Sequence, residues 1–399
     1  MNSIIAEEAT TLVEWNQAGE VRSIYTVLQH LTDTRRKQGQ RYSLALILTF
    51  LLLAKAAGET TLQAVAEWIR LRGTWLQEVL PGIRSTFPCA ATYRNVLRGV
   101  DPVELNEMLM ALITRARAEQ RAKEEQWHVA LDGKTLRGTQ KHQAPDQKKM
   151  HQVSLYETQT GIVLKEQIVG EKESEQTHGE EFLIPPLVKG RIVTADALHI
   201  HTNVCVNIRA SGGEYVLFAK GNQSTLKTAL RLFFTEPPVD CRDWRSAETL
   251  DAGHGRIEQR VLIASSELND FLAKDWPGVS QVFRLRRRFH HPLKCSQQII
   301  YGFTSLTKDE ASPQRLLKLI RGHWAIENKL HYRRDVTLRE DACQVRKGQA
   351  PRILALLNSF LLALFDWLEV RNVASQMRVF DAQPFQALRL FMGPLERIK

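Results

Sequence analysis

Three acidic residues stand where their neighbours give them chemistry to do. In the run Arg321-Gly-His-Trp-Ala-Ile-Glu-Asn-Lys-Leu-His331, Glu327 falls on an apolar stripe that steps through Leu316, Ile320 and Trp324 and continues to Leu330. The spacing predicts that its carboxylate points toward whatever this helix packs against. A buried carboxylate must neutralise itself, pair with a cation or bind a metal ion. Arg191-Ile-Val-Thr-Ala195 is a short β-type run ending in Asp196, and Trp127-His-Val-Ala-Leu131 is another ending in Asp132 and then Gly133. Strand ends are the usual reaction sites of sheets covered by helices, and a helix crossing one face brings a third acid alongside. Two strand-end aspartates and a helix glutamate suit two hard cations such as Mg²⁺, which takes carboxylate oxygens together with waters and phosphate oxygens. Each acid also has a plainer role open to it, a turn cap for the aspartates and a solvated or Arg-paired position for the glutamate.

The elements that must carry these acids can be read from periodicity. Apolar residues at three- and four-residue spacings in Ile24 to Leu31, Leu44 to Ala54, Leu62 to Ile69 and Val103 to Ile113 predict a helical domain over 1–124. The charged stretch Arg115 to Gln126 separates it from a second domain, 125–399. There, strands are predicted at Trp127–Leu131, Gln152–Tyr156, Ile162–Val169, Arg191–Ala195 and Tyr215–Ala219, with a turn at Thr158-Gln-Thr-Gly161. Helices between the later strands make this a mixed α/β sheet. Alternation in Arg256–Ile263, Gln281–Arg286 and Gln298–Phe303 predicts a β-rich insertion at about 237–304, ahead of the Glu327 helix that Ser312 and Pro313 begin. A packed helical pair around Ile353 to Leu368 closes the chain.

With 399 residues, 43% hydrophobic and 25% charged, the chain has ample length for a core and is not disordered in bulk. A net charge of +10 suits a polyanionic partner, and the clustering of Arg284, Arg286, Arg287, Arg288 and Lys294, with no acid among them, favours nucleic acid. The five cysteines lack Cys-x-x-Cys pairing, which predicts a reducing, cytoplasmic setting and no structural zinc, although His199, His201 and Cys205 imitate such spacing loosely. No phosphate-binding Gly-rich loop or nucleophile elbow is present. The start of the chain has no secretory pattern, and the run Leu44 to Ala54 is too short to span a bilayer, so no membrane association is expected.

The blocks Leu131-Asp-Gly-Lys-Thr-Leu-Arg-Gly138, Val193-Thr-Ala-Asp-Ala-Leu-His199, Tyr215-Val-Leu-Phe-Ala-Lys-Gly-Asn-Gln223, His254-Gly-Arg-Ile-Glu258 and Arg321 to His331 resemble, in order, the H-repeat-associated branch of bacterial insertion-sequence transposases. The resemblance implies a DDE enzyme with a ribonuclease-H-like core, carrying Asp132, Asp196 and Glu327 as its first, second and third acids and two Mg²⁺ ions that Mn²⁺ can replace. It implies cleavage at element ends followed by joining of the released 3′-hydroxyl to target DNA. The implied partners are double-stranded DNA, as terminal inverted repeats and target, and a second copy of the chain, since two ends must be paired. The helical domain would read the ends and the basic insertion would hold them. Lys134 and Arg137 after the first acid, Lys220 and Asn222 after a strand end, the Arg284, Arg286 and Arg288 row, and Arg334 are the expected DNA contacts. Where the broader related transposases place a tyrosine, an arginine and a lysine around the glutamate, this chain has Ile320, His323 and Arg334. His323 and His331 are expected to pack or to meet phosphate rather than to bind metal. Two other readings use the same residues: a domesticated DNA-binding protein, and a metal nuclease without strand transfer.

Overall fold

Hydroxyl caps start the first helices. Ser23 accepts the Thr26 amide (3.0 Å) before α1 (Ile24–Gln29), Ser43 accepts that of Leu46 (3.2 Å) before α2 (Leu44–Ala56), and Thr61 accepts that of Ala64 (3.1 Å) before α3 (Leu62–Leu71). The short α4 (Gly73–Val79), α5 (Ala90–Gly99) and α6 (Pro102–Ala116) follow. This computed structural model describes residues 23–80, 82–116, 127–136, 151–169, 178–196, 201–219, 221–253, 256–291 and 294–395.

The β region forms one nine-stranded sheet among the described residues. A meander, β1 (Trp127–Thr135), β2 (His151–Glu157) and β3 (Ile162–Val169), is followed by β4 (Arg191–Ala195), the helix α7 (Thr202–Ala210), β5 (Glu214–Ala219) and the helix α8 (Ser224–Thr235). Four longer strands complete it: β6 (Arg245–Gly253), β7 (Arg256–Ser265), β8 (Gln281–His291) and β9 (Lys294–Thr304). The order across the sheet is β3-β2-β1-β4-β5-β9-β8-β7-β6, with β4 parallel to β1 and β5 parallel to β4. An antiparallel β1–β3 meander beside two parallel strands is the ribonuclease-H-like arrangement. The strands of the expected β-rich insertion extend the central sheet, because β9 pairs antiparallel with β5.

Side-chain alternation sorts the strands between two faces. Val129, Leu131, Val193, Ala195 and Leu217 share a core with α7 and α8. On the other face lie Ala130, Ile192, Val216 and Phe218, covered in part by α9 (Pro313–His323), whose Leu316, Leu317 and Ile320 pack there. The chain then runs through two π-helical segments, Ile326–His331 and Arg333–Thr337, to α10 (Ala350–Trp367), α11 (Val373–Ala382) and α12 (Pro384–Met392). α10 is apolar and long enough to cross a membrane, but it lies 89% buried within the protein as a core helix. Its Phe360, Leu361 and Leu364 join Phe50 and Leu51 of α2 in one continuous apolar core, so the first and last helices pack together. Across that contact Trp68 Nε1 donates to Asp381 Oδ1 (2.7 Å). The boundary expected near residue 124 lies outside the described residues.

Candidate active site

Register places the two aspartates side by side. The β1–β4 ladder ends at the pair Leu131↔Ala195, and the next residues on the two strands are Asp132 and Asp196. Alternation gives Asp132 the face of His128 and Ala130, and gives Asp196, one step past its strand, the face of Ile192 and Thr194. Both therefore belong to the side covered by α9. Asp132 is not the end of its strand, as expected from sequence; β1 continues along β2 to the pair Thr135↔His151. Asp132 is buried and Asp196 half-buried.

Glu327 reaches the same place by a route that periodicity does not predict. α9 ends at His323, and from Ile326 the backbone takes wider π-helical turns, as in the Tyr332 amide donating to the Glu327 carbonyl. The phase of the apolar stripe changes there. Ile326 and Leu330 take the inward positions, while the Glu327 side chain is 59% exposed instead of pointing into the packed face. It lies over the edge of β1, next to His331 four residues on. His331 Nδ1 is 3.7 Å from Asp132 Oδ2 and 3.7 Å from Glu327 Oε2. One ligand atom from each of Asp132, Glu327 and His331 lies within 4.8 Å of the others, the one group of this kind among the described residues. Asp196 is not in that compact group; its strand-neighbour position is what relates it to Asp132.

The hydrogen bond from His331 holds Glu327 below the ordinary carboxylate range, working against partial burial. Burial pushes His331 itself below its usual value, so the ring is neutral near pH 7 and adds no positive charge among the acids. Its Nε2 is buried without a hydrogen-bond partner. Two carboxylates and the Nδ1 of a neutral imidazole, gathered within 4.8 Å, fit a divalent cation. Sequence reading set His331 aside. The signal that finds it is its i+4 spacing from Glu327 on one helical edge.

Below the acids lies a buried ionic network that overturns two expected DNA contacts. Arg334 has no exposed side-chain surface, and its guanidinium donates to Glu340 (2.9 Å and 3.1 Å), Glu166 (3.3 Å), Ser359 (3.1 Å) and Gln152 (2.6 Å). A side chain so enclosed cannot reach phosphate. Lys134 is likewise buried, its ammonium held by Asp335 and by Glu340 at 3.0 Å. Although burial alone would raise it, Glu340 is driven down to about 2 by Arg334 and Lys134, whereas burial raises Glu166 despite facing the same Arg334. The difference follows from geometry, since Glu340 takes the closer guanidinium contacts and the lysine as well. This network ties the segment after Glu327 to β1, β2, β3 and α10.

His323 is buried, its Nδ1 3.0 Å from Thr194 Oγ1, which is also 2.8 Å from His128 Nε2. It packs, as expected. Trp324 is half-buried beneath the Arg287 guanidinium, 4.3 Å from its ring centre. Among the arginines of β8, Leu285 is buried and Arg287 pairs with Glu258 on one face, leaving Arg284, Arg286 and Arg288 on the other. That second face is the α8 side, away from Asp132. Arg284 is drawn inward and donates to the Phe234 carbonyl (2.8 Å), so only Arg286, half-buried, and Arg288, exposed, remain as surface cations of the row. Asn222 is exposed in the turn before α8. Arg137, Lys220 and His199 lie outside the described residues.

A family described as "Transposase DDE domain" matches residues 123–365, and a segment described as "DDE_Tnp_1-associated" matches 25–113. The chain is similar to the "Putative protein YbfL" of Escherichia coli (strain K12), 24% identical over 369 residues, 91% of this chain and 93% of that one. It is 24% identical over 347 residues to the "Putative transposase YncI" of Escherichia coli O157:H7, covering 86% and 87% of the two chains. An "H repeat-associated putative transposase YhhI" of Escherichia coli (strain K12) is 27% identical over 260 residues, 64% and 65% of the two.

Proposed function

This chain belongs to the DDE transposase family, and from that premise we propose that Asp132, Asp196 and Glu327 cut the ends of an insertion sequence and join them to target DNA. The observation that carries the reading is the meeting of Asp132 with Glu327 from elements 195 residues apart in sequence. Bound between these carboxylates, two Mg²⁺ ions, or Mn²⁺ in their place, would supply Lewis-acid stabilisation of entering and leaving phosphate oxygens. The protein's part is positional. β1 and β4 hold two carboxylates on adjacent strands, one within β1 and one just past β4, and the π-helical segment brings the third over the first. His331 stands between Asp132 and Glu327, and its neutrality leaves the positive charge there to the metal. The Lys134–Glu340–Arg334 network fixes the segment's height above the sheet.

The residues 1–124 are proposed to read the terminal inverted repeats, with the cations Arg286 and Arg288 and the exposed amide of Asn222 as backbone contacts and Arg137 and Lys220 as further candidates. Pairing of two ends calls for a homodimer on DNA. Asp132→Asn and Glu327→Gln test the reading, because each removes a ligand charge with little change of volume. On duplexes bearing the inverted repeats that flank the coding region, each should slow Mg²⁺-dependent cleavage about a thousandfold, roughly 4 kcal/mol, with end binding retained. Equal loss of binding would make these acids structural. Cleaved but never joined products would leave a nuclease, and binding without cleavage by the parent protein a domesticated DNA-binding protein.

A further inference from the structure

We propose that a cationic cleft between α2, α3, α5 and the 342–348 segment binds the phosphates of a single DNA strand; this rests on the DNA-processing reading above. The cleft encloses about 660 Å³ and is lined by Lys55, Arg94, Arg98, Arg346 and Lys347, with no acidic residue among its walls. None of the five has a carboxylate within salt-bridge distance among the described residues.

Lys55 is the telling residue. α2 is otherwise built of Leu, Ala, Ile, Phe and Thr, and Lys55 is 5% exposed on it, its charge opposed by burial. A methionine there would pack without any desolvation cost, and the acid that acts on the ammonium, Glu340, does so from beyond salt-bridge distance while held by Arg334 and Lys134, so an anion in the cleft would offset the burial. The opposing wall repeats the demand. Gly348 adopts φ +61°, and a Cβ there would sit 3.3 Å from Arg98 Cγ, so the turn lays Arg346 and Lys347 against the cations of α5. Like charges held together in this way are relieved by a bound anion. The third wall is the start of α3, ten residues long, where Thr61 caps the Ala64 amide and the earlier first-turn amides have no acceptor within the helix.

Size selects a strand. A volume of 660 Å³ is that of a small-ligand pocket, far too small for a duplex but sufficient for a short stretch of unpaired nucleotides.

Fluorescence anisotropy of a labelled oligothymidine and of a duplex of equal length, on the full chain in EDTA at several salt concentrations, tests this. Replacing Arg94 and Arg98 together by Ala should weaken single-strand binding about tenfold or more, and flatten the slope of log K against log salt by about 1.4, two phosphate contacts at about 0.7 each. Lys55→Met should also weaken binding while holding or raising the melting temperature, because it removes a buried charge that has no salt bridge. Parental affinity and salt slope in these folded variants would overturn the proposal, as would a loss confined to the duplex. Inorganic pyrophosphate that stabilises the parent protein without displacing the oligonucleotide would also overturn it, leaving a small-anion site. EDTA separates the two readings: strand binding lost in these variants, in a protein that never cleaves DNA, removes only the transposase mechanism. Cleavage by an Arg94/Arg98 variant with parental strand affinity removes only the cleft.

Discussion

Replacing Arg334 by Met decides whether this cation holds the fold or touches DNA. The guanidinium is wholly enclosed and makes three contacts with Glu340, at 2.8 Å, 2.9 Å and 3.1 Å, and one with Glu166 at 3.3 Å. Met fills much of the volume but leaves Glu166 facing only neutral donors, and Glu340 compensated by Lys134 alone. Removing one partner of a buried ion pair costs about 3–5 kcal/mol, against a total stability of about 5–15 kcal/mol. Urea unfolding should show a midpoint lowered by that energy divided by the slope, about 1 M or more, with little change in the slope itself. Adding Glu166→Gln to the Met variant should recover part of the loss, because burial already drives Glu166 toward its protonated form. A loss below about 1 kcal/mol, together with a DNA salt slope flattened by about 0.9, would refute this reasoning and restore Arg334 as a phosphate contact.

The surface row of β8 separates in the same way: Arg286→Ala with Arg288→Ala should flatten the duplex salt slope by about 0.9 per contact for specific and random DNA alike, and an unchanged slope would assign both to a solvated face. Arg284→Ala, which loses the bond to the Phe234 carbonyl, should instead lower stability by about 1–2 kcal/mol and leave the slope alone. Glu340 has a folded-state pKa depressed to about 2, so its contribution is complete above its ordinary value near 4.5 and lost as pH falls through about 2. Urea midpoints between pH 6 and 2 should fall less steeply in Glu340→Gln than in the parent; parallel curves would contradict the assignment. At Gly322 a Cβ would lie 2.6 Å from His128 Nδ1, and Gly322→Ala should lower stability by about 1–3 kcal/mol, checked by calorimetry, with an unchanged melting temperature as the contrary result.

What sequence made legible was local. The leucine run of α2 reads as a buried helix because nearly every position in it is apolar, and Ser312-Pro313 marks the start of α9 because a cap and a first-turn proline act within a few residues. Alternation placed Leu285 with Arg287 and Arg284 with Arg286 and Arg288 for the same reason. What escaped depended on distant partners. The pairing of β9 with β5, which turns the insertion into more of the central sheet, is a contact between segments some eighty residues apart. The burial of Lys134 and Arg334 needed acids at 166, 335 and 340, and no spacing rule connects those positions. A 3.6-residue period carries Glu327 into the core, whereas the π-helical turns after α9 put its side chain on the exposed side, beside Asp132.

Crystals soaked in Mn²⁺ and measured for anomalous scattering test the central claim most directly, since they read metal positions without depending on catalysis. The account predicts density between Asp132 and Glu327 with a second site on the Asp196 side about 4 Å away, and its loss in Asp132→Asn. Density absent from this edge of β1, or held by His331 with neither aspartate involved, would contradict it.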